Sequence, residues 1–217
     1  MIVRAAFVDI IFFSLLLLSI PSTLLPFIVV EVHGQKVLKL TSANNSSGFS
    51  IYKNQEYRFE ISYPSNWQKI EFTEGIERNE RKIVANFLSL PEGSSDKFRD
   101  YVIVEVSDFQ PTHQLSNYVN HQIDNYIKLL DGFRLIESPS SLPDISGNRS
   151  DSKQGGVSPN SKIVFTYDDP LAGTIKIMEL YFQNKDKVYI LSLHSEIRSY
   201  DNYLTIIQRM VDSFRII

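Results

Sequence analysis

Phe59-Glu60-Ile61-Ser62-Tyr63 alternates apolar and polar positions with a period of two, the pattern of a strand with one buried face. Pro64 has no backbone N–H to continue the ladder, so Pro64-Ser65-Asn66 predicts a turn that delivers Trp67 against the layer just begun. Everything after Trp67 reads as more of that layer. Ile83–Leu90 and Tyr101–Val106 are rich in β-branched and aromatic residues and predict strands, with Pro91–Ser95 as the turn between them. From Leu115 to Leu130 the period changes. Leu115, Tyr118, Val119, Gln122, Ile123, Tyr126, Ile127 and Leu130 recur at three- and four-residue steps, the stripe of an amphipathic helix, and Asp131-Gly132 ends it with a glycine suited to a left-handed cap. Phe133–Glu137 predicts a short strand, whereas Ser138–Lys162 is mostly Ser, Pro, Gly and Asn and reads as a polar loop. Lys162–Tyr167, Thr174–Gln183 and Lys187–Ser195 follow as strands whose short polar connections make antiparallel hairpins. Tyr200–Phe214 closes the chain as a helix with Tyr203, Leu204, Ile207, Met210, Val211 and Phe214 on one face. The expected fold class is therefore α+β, an antiparallel sheet with helices laid against it.

The N-terminal residues have a different pattern. Ile10–Ile20 is apolar except for Ser14, with Arg4 the only cation before it, and has the length of a signal-peptide core. Pro21 interrupts the run, yet Leu24–Val30 continues it, so Ile10–Val30 is also long enough to span a bilayer. Residues 1–34 are read as a signal peptide, with Val32 and Gly34 at the −3 and −1 positions before Gln35, or as an N-terminal membrane anchor. Both readings place the rest of the chain outside the cytoplasm, secreted or held at the membrane. Residues 35–56, centred on Thr41–Gly48, are expected to be a flexible linker, and residues 57–217 a single folded domain that carries the polar loop at 138–162. Asn44, Asn45 and Asn148 head Asn-x-Ser triplets compatible with glycosylation, although such triplets also occur by chance in polar loops of this composition, which is the preferred reading.

Composition narrows the function. The chain has 217 residues and a formal net charge of −3, with both signs interspersed, so no basic stripe exists to neutralise a phosphate backbone and nucleic acid is not an expected partner. The lack of cysteine excludes disulfides, thiolate metal sites and a cysteine nucleophile. Gly155-Gly156 lacks the Lys-Ser/Thr of a phosphate-binding loop and reads as a hinge. His113 and His121 are too far apart for helical zinc ligation and read as surface histidines. His194 shares a strand face with Val188 and Ile190, and no nucleophile elbow accompanies it, so a partly buried, hydrogen-bonded structural histidine is expected. Asp168-Asp169 offers too few oxygens for calcium and reads as a turn-favouring pair. The eleven tyrosines fall mostly on the apolar faces of strands and helices, where they read as core. No catalytic residue, metal ligand or cofactor site is assigned.

Five segments occur in a telling order: Tyr63-Pro64-Ser65-Asn66-Trp67 at a strand end, the helix from Leu115, Gly147-Asn148 leading to Ile163–Tyr167, Lys187-Val188-Tyr189-Ile190-Leu191, and Gln208–Phe214 at the finish. Over about Tyr57–Ile217 they resemble the PsbP-related proteins, the superfamily of the extrinsic photosystem II subunit PsbP. The resemblance implies an antiparallel sheet sandwiched by helices. The loop before Lys162 is longer than the family pattern and the leader carries no twin-arginine signal, so it implies an exported, noncatalytic accessory domain rather than a part in water oxidation. The expected partner is then a membrane protein complex or a membrane-surface protein. The aromatic content leaves a small apolar ligand as the alternative.

Overall fold

A computed structural model describes residues 30–32, 35–41, 48–78, 80–93, 96, 98–141 and 157–217. Residues 1–29 of the leader, Asn44, Asn45, Gly147, Asn148 and Gly155-Gly156 lie outside the described residues. The elements are β1 (Val30–Val32), β2 (Gln35–Thr41), β3 (Phe49–Asn54), β4 (Phe59–Pro64), β5 (Gln68–Arg78), β6 (Arg81–Leu88), β7 (Tyr101–Asp108), α1 (Leu115–Leu129), β8 (Arg134–Ser141), β9 (Ser161–Asp169), β10 (Gly173–Asn184), β11 (Lys187–Glu196), α2 (Tyr200–Ser213) and β12 (Arg215–Ile216).

Nine strands form one sheet in the order β1-β2-β5-β6-β7-β11-β10-β9-β8, every pairing antiparallel. The hairpins β9–β10 and β10–β11 are those that the short polar connections predict. The central strands are buried on both faces, so β7 and β11 read as nearly continuous apolar runs rather than the alternating pattern of a half-exposed antiparallel strand. Helix α1 lies on one face, where Val119, Ile123 and Tyr126 meet Ile83, Ile103, Phe165 and Tyr181 in one core cluster. Neither helix has a side-chain N-cap hydrogen bond, so packing of the apolar stripe, rather than capping, holds each in place.

On the other face α2 lies beside a second, three-stranded sheet ordered β12-β4-β3. Phe214, fully buried just after α2, packs its ring 5.7 Å from Phe59, 4.7 Å from Phe182 and 6.0 Å from Tyr189. Here the sequence reading needs correction. Phe59–Tyr63 is a strand, but it belongs to the small sheet, and strands β5 to β11, after Trp67, build the opposing one. Two-residue alternation specifies a buried face and not which sheet the strand joins. The turn itself is as expected: the Trp67 N–H donates to the Pro64 carbonyl at 2.9 Å, and the indole meets Tyr203 edge-on at 5.7 Å.

The spacer expected over residues 35–56 contains β2 and β3. Strand β3 buries Tyr52 and Asn54 and pairs along its length with β4, so the expected spacer ends before Phe49. The polar loop is shorter than expected, because β8 continues to Ser141 and β9 begins at Ser161. Gly132 takes the left-handed conformation (φ +65°) after α1 and lies against the Asp168 side chain, which a Cβ would strike. Among the described residues no helix is long and apolar enough to cross a membrane.

Phe59 is fully buried and touches Tyr52, Tyr189 and Phe214, so it ties β4 to the face of the large sheet. Phe59→Ala is expected to destabilise the domain by about 3–5 kcal/mol. In urea unfolding this appears as a lower midpoint with an unchanged slope, and a midpoint equal to wild type would contradict the packing described.

Candidate functional site

The two ends of the large sheet differ in chemistry. At the end where β6 begins and β7 stops, a cleft of about 850 Å³ opens between the strand ends and the start of α1. Its lining includes Tyr57, Lys82, Asp108, His113, Asn117 and His121, with Tyr118 deeper among them. The Ser107 hydroxyl donates to the Glu80 carbonyl at 2.9 Å, and the Phe109 N–H to the Asp186 carbonyl at 2.7 Å, which fixes the strand ends that form the wall. Charges on the rim are paired: Lys187 Nζ lies 2.8 Å from Asp108 Oδ1 and Lys82 Nζ 3.3 Å from Glu77 Oε1. The hydrogen bond to Lys187 holds the Asp108 carboxyl below its ordinary value, and the same bond raises the lysine. Burial, reinforced by Glu56, pushes the Tyr57 hydroxyl up to about 12, so it remains a neutral donor in the cleft wall.

Behind Tyr118 lies a buried charge cluster. Arg81, 3% exposed, directs Nη1 to Glu105 Oε2 at 3.0 Å and to Glu179 Oε1 at 3.1 Å, while Nη2 donates to the Tyr181 hydroxyl at 3.3 Å. The rings of Tyr118, Tyr126 and Tyr181 surround the guanidinium, with centroids 6.0, 5.8 and 5.7 Å from its Cζ. Glu179 also accepts hydrogen bonds from Tyr126, at 2.6 Å, and from Tyr181. Burial by itself would raise the Glu179 pKa, but Arg81 and the two tyrosine donors outweigh it and hold the carboxyl below its ordinary value. The cluster joins β6, β7, β10 and α1 beneath the cleft, and Tyr118 belongs to both.

The residues weighed from the sequence are dispersed. His113 and His121 both reach the cleft, at exposed positions. Among the described residues no three His, Cys, Asp or Glu side chains gather where they could hold a metal. His194 is buried and stacks on Tyr101, centroids 4.5 Å apart and planes inclined by 16°, as a structural histidine on the expected face. Asp169 Oδ1 accepts from the N–H groups of Leu171 and Ala172 at 2.8 Å, and Asp168 Oδ1 from the Thr174 hydroxyl at 3.0 Å, so the acidic pair builds the β9–β10 turn. Ten of the eleven tyrosines are buried in the core, and Tyr118 is half-buried.

Sequence reasoning missed the cluster and the cleft. The available signal was parity: Glu105 interrupts the apolar run of β7 and Glu179 that of β10, each at a position whose strand neighbours two residues away face the core. A further buried acid, Asp100, accepts from the hydroxyls of Ser195 at 2.5 Å and Ser199 at 2.9 Å and pins the turn into α2. Its pKa is raised by burial, only partly offset by those donors.

No protein-family model and no curated protein matches the sequence. Among solved structures, cyanobacterial PsbP (CyanoP) from Synechocystis sp. PCC 6803 superposes with a TM-score of 0.50 at 11% identity, covering 82% of this chain and 97% of that one. The Ran-binding protein Mog1p of Saccharomyces cerevisiae gives 0.47 at 9% identity, over 79% of this chain and 96% of its own. PA94 from Pseudomonas aeruginosa gives 0.46 at 13% identity, over 76% and 94%. The likeness to CyanoP is one of fold: this chain has the α+β, PsbP-like architecture.

Arg81→Met leaves two buried carboxylates without their shared cation and is expected to cost about 3–5 kcal/mol in unfolding free energy. The Glu179 contribution has a definite pH sign. A folded-state pKa below the unfolded value stabilises above the unfolded pKa, and that stability is lost as pH falls through the folded one. Asp100, with its pKa raised, acts oppositely and gains stability as pH falls into its range. The stability gap between wild type and Glu179→Gln should therefore be widest at neutral pH and narrow on acidification below about pH 4. Parallel urea midpoints across pH 3–7 would contradict this.

Proposed function

We propose that this protein is an exported, noncatalytic accessory domain, held at the outer membrane surface by its N-terminal segment, and that it binds a partner protein of a membrane complex through the cleft between α1 and the strand ends. The observation that carries the reading is the cleft itself, about 850 Å³ with a polar lining and charges of both signs. Lys187–Asp108 and Lys82–Glu77 present exposed positive and negative groups on a wall braced by backbone hydrogen bonds, an arrangement suited to complementary charges on a protein surface. The half-buried Tyr118, backed by the buried Phe109, gives a partner side chain an anchoring contact.

Export rests on the apolar run Ile10–Val30 of the sequence. The PsbP-like fold agrees with an accessory role. A protein partner is favoured over a small apolar ligand because both cores are filled by interlocking rings, Phe59, Phe182 and Phe214 on one face and Tyr126, Phe133 and Phe165 on the other, whereas the cleft is largely polar.

The test is affinity purification of the full chain, tagged through a flexible C-terminal extension, from gently solubilised membranes. A membrane protein recovered in stoichiometric amount supports the reading, and Asn117→Arg at the exposed cleft rim should reduce its recovery at least about tenfold, a loss near 1.4 kcal/mol, without moving the thermal midpoint. Recovery of a small molecule without protein, or recovery unaffected by Asn117→Arg, would overturn the assignment.

A further inference from the structure

Seven of the nine large hydrophobic side chains exposed among the described residues lie at the end of the large sheet opposite the cleft, the exceptions being Ile51 and Ile217. Leu171, in the β9–β10 turn, and Ile197, in the turn into α2, are each 57% exposed, and Leu90 follows the end of β6. The Ile197 N–H donates to the Thr174 carbonyl, which brings these two turns together. Ile127, in the last turn of α1, and Leu204, early in α2, stand on the helix ends beside them, and Leu135 and Ile136 open β8.

Strand β1 also runs from this side. Strand β5 starts at this end, where Gln68 pairs with Leu88, and β2 runs towards it, with Thr41 opposite Lys69. Strand β1 is antiparallel to β2, Val30 opposite Val37 and Val32 opposite Gln35, so its backbone descends from the same end. Val37 is opposite Phe72, four residues along β5 from Gln68, and at about 3.3 Å per residue Val30 is roughly 13 Å below that end. The sequence before Val30 is the apolar run that begins at Ile10. A segment of that composition in a bilayer would bring this end, and not the cleft, against the lipid.

We propose that the end formed by Leu90, Leu171 and Ile197 rests on the surface of a zwitterionic lipid bilayer, with these side chains entering the interface and the cleft held at the far end, facing away from the membrane. The inference rests on the reading that the N-terminal run holds the chain at a membrane. Charge bears on the lipid: among the described residues Glu92 and Asp168 stand with Lys128, Arg134 and Arg198 beside the exposed apolar side chains, a mixture of signs rather than the run of cations that an anionic surface favours. Apolar contact therefore supplies the interaction.

The absence of cysteine permits a clean test. The full chain is reconstituted in phosphatidylcholine vesicles as single-cysteine variants Ile197→Cys, Leu171→Cys and His113→Cys, each carrying an environment-sensitive bimane label. Emission of Trp67, the single tryptophan, buried against Tyr203, confirms that each variant is folded. Labels at 197 and 171 should shift to the blue and be quenched by brominated phosphatidylcholine at least threefold more strongly than the label at 113, and adding phosphatidylserine should not increase the difference. Co-sedimentation with vesicles but equal quenching at both ends overturns this inference and leaves anchoring intact. Failure to co-sediment overturns both. A blue shift that follows protein concentration and comes with cross-linked dimers assigns the end to a second copy of the chain and also overturns the inference.

Discussion

Arg81 is the residue on which the arrangement of layers turns. A sheet buried on both faces leaves no solvent for a polar side chain on its central strands, so each one must find a partner inside. Glu105 and Glu179 sit on β7 and β10 with β11 between them, and one guanidinium on β6 reaches both. Tyr126 comes from α1 to complete the set. Those hydrogen bonds have one geometry, and they fix the helix against the sheet in a way that interchangeable apolar contacts do not. Whether a buried ion pair adds stability over an apolar substitute is a separate matter from the loss when one member is removed.

The same cluster separates the domain into two ends of different character. Beneath the start of α1 the interior is polar and passes through Tyr118 into a cleft lined with paired charges. Towards the other end the face under α1 becomes aromatic, with Tyr126, Phe133 and Phe165 in mutual ring contact, and the turns beyond carry exposed Leu and Ile. An antiparallel sheet produces this division simply, because alternate connections all emerge at the same end. A domain polarised in this way can meet two different surfaces at once, one through its loops and the other through its cleft.

The second face is held by rings instead of charges. Phe59, Phe182, Tyr189 and Phe214 draw residues from the small sheet, the large sheet and the end of α2 into one contact group. Strand β12 then pairs with β4 and fastens the last residues to the small sheet. The final residues are thus structural: the Ile217 N–H donates to the Arg58 carbonyl at 2.8 Å.

The sequence by itself determined the elements whose signal is local. Both helices, the hairpins from β9 to β11, the Pro64 turn, the Gly132 cap and the structural character of His194 follow from periodicity, turn chemistry and face parity, each set within a few residues of the chain. The α+β class follows from their order. Tertiary structure alone decided that Phe59–Pro64 joins a separate sheet, that Phe49–Asn54 forms a strand beside it, and that Arg81 meets two carboxylates from strands far away in sequence. It also decided the cleft, whose lining is drawn from Tyr57 to Lys187. The physical reason is that alternation states which face of a strand is buried and is silent about its partner. Strand pairing and buried charge neutralisation are long-range choices, made by whichever layers can close over one another without leaving a polar group alone.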